Sequence, residues 1–178
     1  ANTFHETLYN FIKVGGADHF TRTEQFPCPN CTTGVSEKIY NAQGLVERYI
    51  DARGHITTYT YNARGLEETR TEAAGTAKER VISTQWHTNL SLPIEVTEAD
   101  KTQSFSYSAT GLLLSQTQVD NVTQKELVTT YTYTPKGKVE SIDGPRTDAT
   151  DITNYTYDAF GNLTSVTNAL GHVTTLSN

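Results

Sequence analysis

Seven times in 178 residues the chain writes the same four-residue turn: Asn41-Ala42-Gln43-Gly44, Asp51-Ala52-Arg53-Gly54, Asn62-Ala63-Arg64-Gly65, Ser108-Ala109-Thr110-Gly111, Thr134-Pro135-Lys136-Gly137, Asp158-Ala159-Phe160-Gly161 and Asn168-Ala169-Leu170-Gly171. Each position has a physical reason. The first is a short polar residue whose side chain bonds the backbone two residues on. The second tolerates proline, as a type I turn does. The last is a left-handed bulge position, which glycine fills without steric cost, and this combination joins the two strands of a hairpin. A chain with seven such turns folds as a series of hairpins or not at all.

The runs between the turns are strand formers, rich in threonine, tyrosine, valine and isoleucine. Read with period two, Thr57-Tyr59-Tyr61, Thr129-Tyr131-Tyr133 and Thr153-Tyr155-Tyr157 each place two rings on one face, with Gln103-Phe105-Tyr107 a variant. The aromatic that closes every second run recurs as Tyr40, Tyr61, Trp86, Tyr107, Tyr133 and Tyr157, at gaps of 21, 25, 21, 26 and 24 residues. Periods of this size mark repeat architectures. The expectation is an all-β ribbon of antiparallel hairpin repeats, in which rings stacked in register form ladders worth about 0.5–1.5 kcal/mol per good pair beyond burial. Helical spacing of apolar residues never persists past two turns, so no helix is expected.

Composition agrees with a thin sheet. Hydrophobic residues are 35% of the chain and mean hydropathy is −0.51, too polar for a large core. Charged residues are only 19% and the rings are regularly placed, which argues against disorder. About twelve strands spaced ~4.8 Å apart would make a ribbon about 55–60 Å wide, with both edges open. Net charge is −6 with no basic stripe, so nucleic acid is not an expected partner. No apolar run is long enough to span a bilayer as a helix.

Residues 1–35 depart from the period and read as an irregular entry segment; residues 36–178 are the repeat strip. Within the entry segment Leu8, Tyr9, Phe11, Ile12 and Val14 are strand material broken at Gly15-Gly16, and Phe26 to Cys31 form a proline-stiffened loop. Cys28 and Cys31 have the spacing of half a zinc knuckle, with His19 and His5 upstream. Without a second cysteine pair the plainer reading is a reduced or locally oxidised pair, and no metal or other cofactor is expected. His55 and His172 follow turn glycines at equivalent positions, which points to a role at the start of a strand. The carboxylates sit in turns and exposed strand positions, and no Ser or Cys lies in a nucleophile elbow, so no catalytic residue is assigned and no enzyme is expected. The residues singled out are structural: Tyr40, Tyr61, Trp86, Tyr107, Tyr133 and Tyr157, with Gly44, Gly54, Gly65, Gly111, Gly137, Gly161 and Gly171.

The unit Tyr157-Asp158-Ala159-Phe160-Gly161-Asn162-Leu163, with a second glycine turn at Asn168-Ala169-Leu170-Gly171, resembles the Rhs or YD repeat, and the units from Tyr40, Tyr61, Tyr107 and Tyr133 follow it with drift. The resemblance covers about residues 36–178. It implies a segment of a large β-strip that spirals into a hollow shell, or cocoon. In bacterial Rhs toxins, type VI secretion effectors among them, and in insecticidal toxin complexes, such a shell encloses a C-terminal toxin domain; in teneurins a similar shell serves cell-surface adhesion. The expectation is therefore a non-catalytic wall segment of a secreted bacterial toxin. Its partners would be further Rhs repeats and the enclosed toxin domain, with secretion or chaperone proteins in addition. A cell-surface adhesin or carbohydrate-binding module is the alternative.

Overall fold

The computed structural model describes residues 7–25 and 35–176, and every regular element in them is a strand. There are fifteen: β1 (Thr7–Val14), β2 (Ala17–Gln25), β3 (Val35–Tyr40), β4 (Val46–Ile50), β5 (Ile56–Tyr61), β6 (Glu67–Glu72), β7 (Arg80–Trp86), β8 (Pro93–Thr97), β9 (Lys101–Tyr107), β10 (Leu113–Asp120), β11 (Glu126–Tyr133), β12 (Val139–Asp143), β13 (Thr153–Tyr157), β14 (Leu163–Thr167) and β15 (Val173–Thr175). Fifteen exceeds the expected twelve partly because the entry segment supplies a full hairpin. β1 and β2 pair antiparallel from Thr7↔Gln25 to Val14↔Ala17 and turn at Gly15 and Gly16, both left-handed.

The chain divides into two compact units, Ala1–Thr84 and Gln85–Asn178. In the first, β1 to β6 pair antiparallel in chain order and β6 pairs with β7. In the second, β8 to β15 do the same. Within each unit strands pair with their sequence neighbours, so neither unit closes into a barrel.

All seven predicted turns take one geometry. The glycine N–H donates to the carbonyl of the first turn residue, at 2.8–3.1 Å, and that residue's N–H donates to the carbonyl just after the glycine, at 2.8–3.0 Å. The glycines have φ between 75° and 89°. Where the first residue is Asn or Asp, its side-chain oxygen accepts from the N–H groups two and four residues on. Asn62 Oδ1 takes Arg64 N at 2.9 Å and Leu66 N at 3.1 Å, and Asp158 Oδ1 takes Phe160 N and Asn162 N at 2.9 and 2.8 Å. The turn is thus closed by backbone and side chain together, which is why its sequence repeats so faithfully.

There is little core. Among the described residues Ile82, at 6% exposure, is the buried hydrophobic side chain. In two strands burial alternates with period two throughout. Along β11, Leu127, Thr129, Tyr131 and Tyr133 are half-buried while Glu126, Val128, Thr130 and Thr132 are exposed, and β13 alternates the same way. Stability has to come from ladder hydrogen bonds and same-face contacts, as the low hydropathy requires.

Candidate functional site: the tyrosine face

Tyr40, Tyr61, Tyr107, Tyr133 and Tyr157 each sit at a break in register. Opposite Thr60 lies Thr69 but opposite Tyr61 lies Glu67, so Glu68 is left over; the same step occurs at Tyr40, Tyr107, Tyr133 and Tyr157. These are β-bulges, in which two residues of one strand face one of the next. Each phenol reaches the other way, onto the preceding strand. Tyr61 donates to the carbonyl of Val46 at 2.7 Å, Tyr107 to Pro93 at 2.8 Å, Tyr133 to Leu113 at 2.7 Å and Tyr157 to Val139 at 2.8 Å; Tyr40 donates to Phe20. In the first four of these pairs the acceptor begins its strand. A half-buried carbonyl is thereby satisfied by a side chain.

The rings do not stack on one another along this column. Within each unit they lie on every second strand, about 9–10 Å apart at ordinary strand spacing, whereas rings interact at centroid separations of about 4.5–7 Å. The expected aromatic ladder is replaced by hydroxyl-to-carbonyl bonds. Ring contacts occur instead near β2: Phe20 lies 6.0 Å from Tyr9 and 5.9 Å from Phe11, and His19 lies 4.9 Å from Tyr40. Burial raises the phenol pKa of Tyr59, Tyr61, Tyr107 and Tyr133 above 10.0, with Glu67 adding to the effect at Tyr59 and Tyr61.

On the opposite face, the residue before four of the five bulge tyrosines pairs its hydroxyl across the strand: Thr60 with Thr69 at 2.6 Å, Ser106 with Ser115 at 2.6 Å, Thr132 with Ser141 at 2.7 Å and Thr156 with Ser165 at 2.7 Å; before Tyr40 stands Ile39. Period-two alternation puts Thr60 and Thr132 on the face opposite Tyr61 and Tyr133, but the partner of each hydroxyl is known only once the bulge has set the register.

The remaining singled-out groups find local roles. Asp51 Oδ2 lies 2.9 Å from His55 Nδ1, and with the backbone N–H groups of His55 and Arg53 this holds the Asp51 carboxyl at about 2, below its ordinary 3.8. His172 Nδ1 is 3.5 Å from the Asn168 amide at the equivalent place. His19 packs its imidazole beside Gly44, where an added Cβ would meet Cε1 at 3.0 Å. Cys28, Cys31 and His5 lie outside the described residues, and among the described ones no group of three or more His, Cys, Asp or Glu side chains could hold a metal ion. No helix of the described residues is long and apolar enough to cross a membrane.

One concavity on the tyrosine face belongs to the first unit. Phe20, Ser36, Lys38, Val46, Tyr49, Tyr59 and Tyr61 line an open groove of about 610 Å³. Lys38 pairs across the strand with Tyr49, and Tyr49 with Thr57, two residues from Tyr59 on the same face. The ammonium of Lys38 stands 5.7 Å from the centre of the Phe20 ring. Sequence reasoning missed Phe20, Lys38 and Tyr49 as a group. Counting across the Asp51–Gly54 turn places Tyr49 beside Thr57, but the bulge opposite Tyr40 has to be known before Val46 falls on this face.

The RHS Repeat family profile matches residues 40–77 and 146–173, which contain three of the bulge tyrosines, Tyr40, Tyr61 and Tyr157, with their turns. The chain carries Rhs repeats. Solved structures agree with the fold. A crystal structure of TcdB2-TccC3-Cdc42 matches 87% of this Rhs-repeat chain with a TM-score of 0.71 and 17% identity, and a Tc holotoxin pore from Photorhabdus luminescens matches 92% with a TM-score of 0.74 and 17% identity. The crystal structure of TcdB2-TccC3 aligns over 87% at a TM-score of 0.73 and 18% identity. The Rhs-repeat chain spans 9% of each of those chains. No curated protein sequence matches it.

Proposed function

We propose that this Rhs-repeat chain is a stretch of wall from a hollow β-shell that encloses a toxic domain and shields it until delivery, and that it has no catalytic part of its own. The observation that supports this most is the agreement of fold over 92% of the chain with 9% of a Tc toxin chain, the relation expected between a wall segment and a much larger wall. The strand pattern supports it too. A meander that never closes leaves β1 bonded to β2 alone and β15 to β14 alone among the described strands, and such edges invite further strands. Residues 36–178 are then the repeat strip and 1–35 its entry segment. The partners are further repeats of the same polypeptide and the enclosed domain, and the product is exported, by a route akin to that of Tc toxins or of type VI effectors.

The test is limited proteolysis of the full-length polypeptide. The reading expects a domain downstream of the repeats to resist cleavage while the repeats are intact, and to become sensitive when hairpins of this chain are deleted. Cleavage of that domain at the same rate in the full-length polypeptide as in isolation would overturn it.

A further inference from the structure

The chain carries 14 lysine and arginine residues, all of them among the described ones, and all but one lie where the backbone is fastened. Half sit inside β1 to β4, β6, β7 and β9. Arg53, Arg64 and Lys136 stand in tight turns closed by the glycine N–H, and the Lys138 and Lys125 carbonyls accept from Thr134 N and Asp120 N at 2.8 and 2.9 Å. Lys78 is enclosed by the bond from Glu79 N to the Thr76 carbonyl at 3.1 Å. Arg146 is the exception. It belongs to the connection between β12 and β13, whose residues 144–151 neither give nor take a backbone–backbone hydrogen bond. Residues 145–150 are all exposed.

Two aspartates clasp this connection. Asp151 Oδ2 accepts from Arg146 N at 3.0 Å. Asp148 takes the guanidinium in a fork, Oδ1 from Nε at 3.1 Å and Oδ2 from Nη2 at 3.0 Å, with 58% of the Arg146 side chain and 74% of the Asp148 side chain exposed. An ion pair this exposed contributes little, so another carboxylate can take the guanidinium over. The seam beneath is short as well. β12 and β13 pair at Ser141↔Asn154 and Ile142↔Thr153, whereas β11 and β12 pair from Thr130↔Asp143 to Tyr133↔Val139. A peptidase has to draw the chain around its target out as an added strand, which an exposed tip free of ladder bonds allows. We propose that the Arg146–Thr147 bond is a processing site for an arginine-specific endopeptidase, whose specificity pocket supplies a carboxylate in place of Asp148. Hydrolysis breaks the bond between the Arg146 carbonyl carbon and Thr147 N; water gives its hydroxyl to the new Arg146 carboxyl and a proton to the new Thr147 amine. Residues 147–178 are then joined to the rest without a covalent link, by the short β12–β13 ladder, the Tyr157 hydroxyl on the Val139 carbonyl and Lys136 Nζ on the Ala159 carbonyl. The site does not depend on what the strip encloses.

Trypsin cuts after lysine and arginine alike, so on the folded chain all 14 sites compete. Intact-mass time courses should show fragments 1–146 and 147–178 first, about ten-fold or more ahead of any other cut, because the remaining sites open only through local unfolding. Arg146→Gln should delay the first cut by about the same factor, with an unchanged thermal melt. Arg146→Lys keeps a cation beside Asp148; it should still be cut there by trypsin, but far more slowly than the parent by clostripain, which selects arginine. First cleavage at a strand or tight-turn residue would overturn the proposal. So would an Arg146→Gln chain nicked at the parent rate. The cut falls inside the repeats, so its rate is read separately from the protection of a domain beyond them.

Discussion

The hydroxyl of Tyr61, at the end of β5, donates to the carbonyl of Val46, at the head of β4, across 2.7 Å. Tyr133 repeats this with Leu113 and Tyr157 with Val139. The tyrosine that recurs about every 21–26 residues is therefore kept at least as much for its oxygen as for its ring. It closes the start of one hairpin strand while the bulge beside it lets the next turn begin.

Tyr61→Phe keeps the ring and removes the donor. The Val46 carbonyl then loses its partner in a half-buried place, and the expected loss of stability is about 1 kcal/mol. Urea denaturation of the variant checks it. Tyr133→Phe should cost a similar amount, and the double variant should show the sum because the two bonds share no partner. A strongly non-additive result would mean the tyrosines act through one another.

Gly65→Val should destabilise by about 1–2 kcal/mol through its φ of 76°, since the added Cβ itself would meet Leu45 Cδ1 at an ordinary contact distance of 3.5 Å. Gly144 makes the opposite case. It lies outside the left-handed region, yet an added Cβ would collide with Asp151 Oδ2 and meet its Cγ at 2.8 Å. Gly144→Ala must push away the carboxylate that accepts from Arg146 N at 3.0 Å, so it too should lower the melting temperature. Gly144→Ala combined with Asp151→Ala should recover part of the steric loss.

Asp51 carries a pH prediction. Its carboxyl is held at about 2, chiefly by the hydrogen bond from His55, against 3.8 in the ordinary state. A depressed folded value means its contribution is present above the unfolded value and is lost as pH falls from about 4 towards 2. Denaturation midpoints measured from pH 7 down to pH 2.5 should fall in that window, and Asp51→Asn should flatten the part due to this turn. Asp158, lowered by Asn162 in the same way, supplies a second copy of the effect.

The hydroxyl pairs are a smaller matter. Thr132→Val should cost about 0.2–1 kcal/mol, the scale of one cross-strand pair. A double-mutant cycle with Ser141→Ala measures the coupling directly. Absence of coupling would mean that the 2.6–2.7 Å hydroxyl contacts lend order to the face without lending stability.

Much of the fold was legible before any coordinates because its information is local. A glycine at the left-handed position and a short polar residue three places earlier decide a turn within four residues, and all seven turns formed where Asn41, Asp51, Asn62, Ser108, Thr134, Asp158 and Asn168 stand. Alternation in β11 and β13 likewise told which residues share a face. The destination of each phenol was not legible, nor the partner of each threonine. Both depend on a bulge that shifts register by one residue, and such a shift moves every later side chain to a new neighbour.

The amino-acid sequence by itself determined that this chain is a train of hairpins with rings on one face and hydroxyls on the other, since turn chemistry and period-two alternation act over a few residues. Only the tertiary structure decided that the rings anchor carbonyls instead of stacking, and that Lys38 meets Tyr49, Tyr59 and Phe20 in one groove. Those relations join residues up to about forty positions apart, and their distances are set by strand spacing and bulge register, which no single run of sequence encodes.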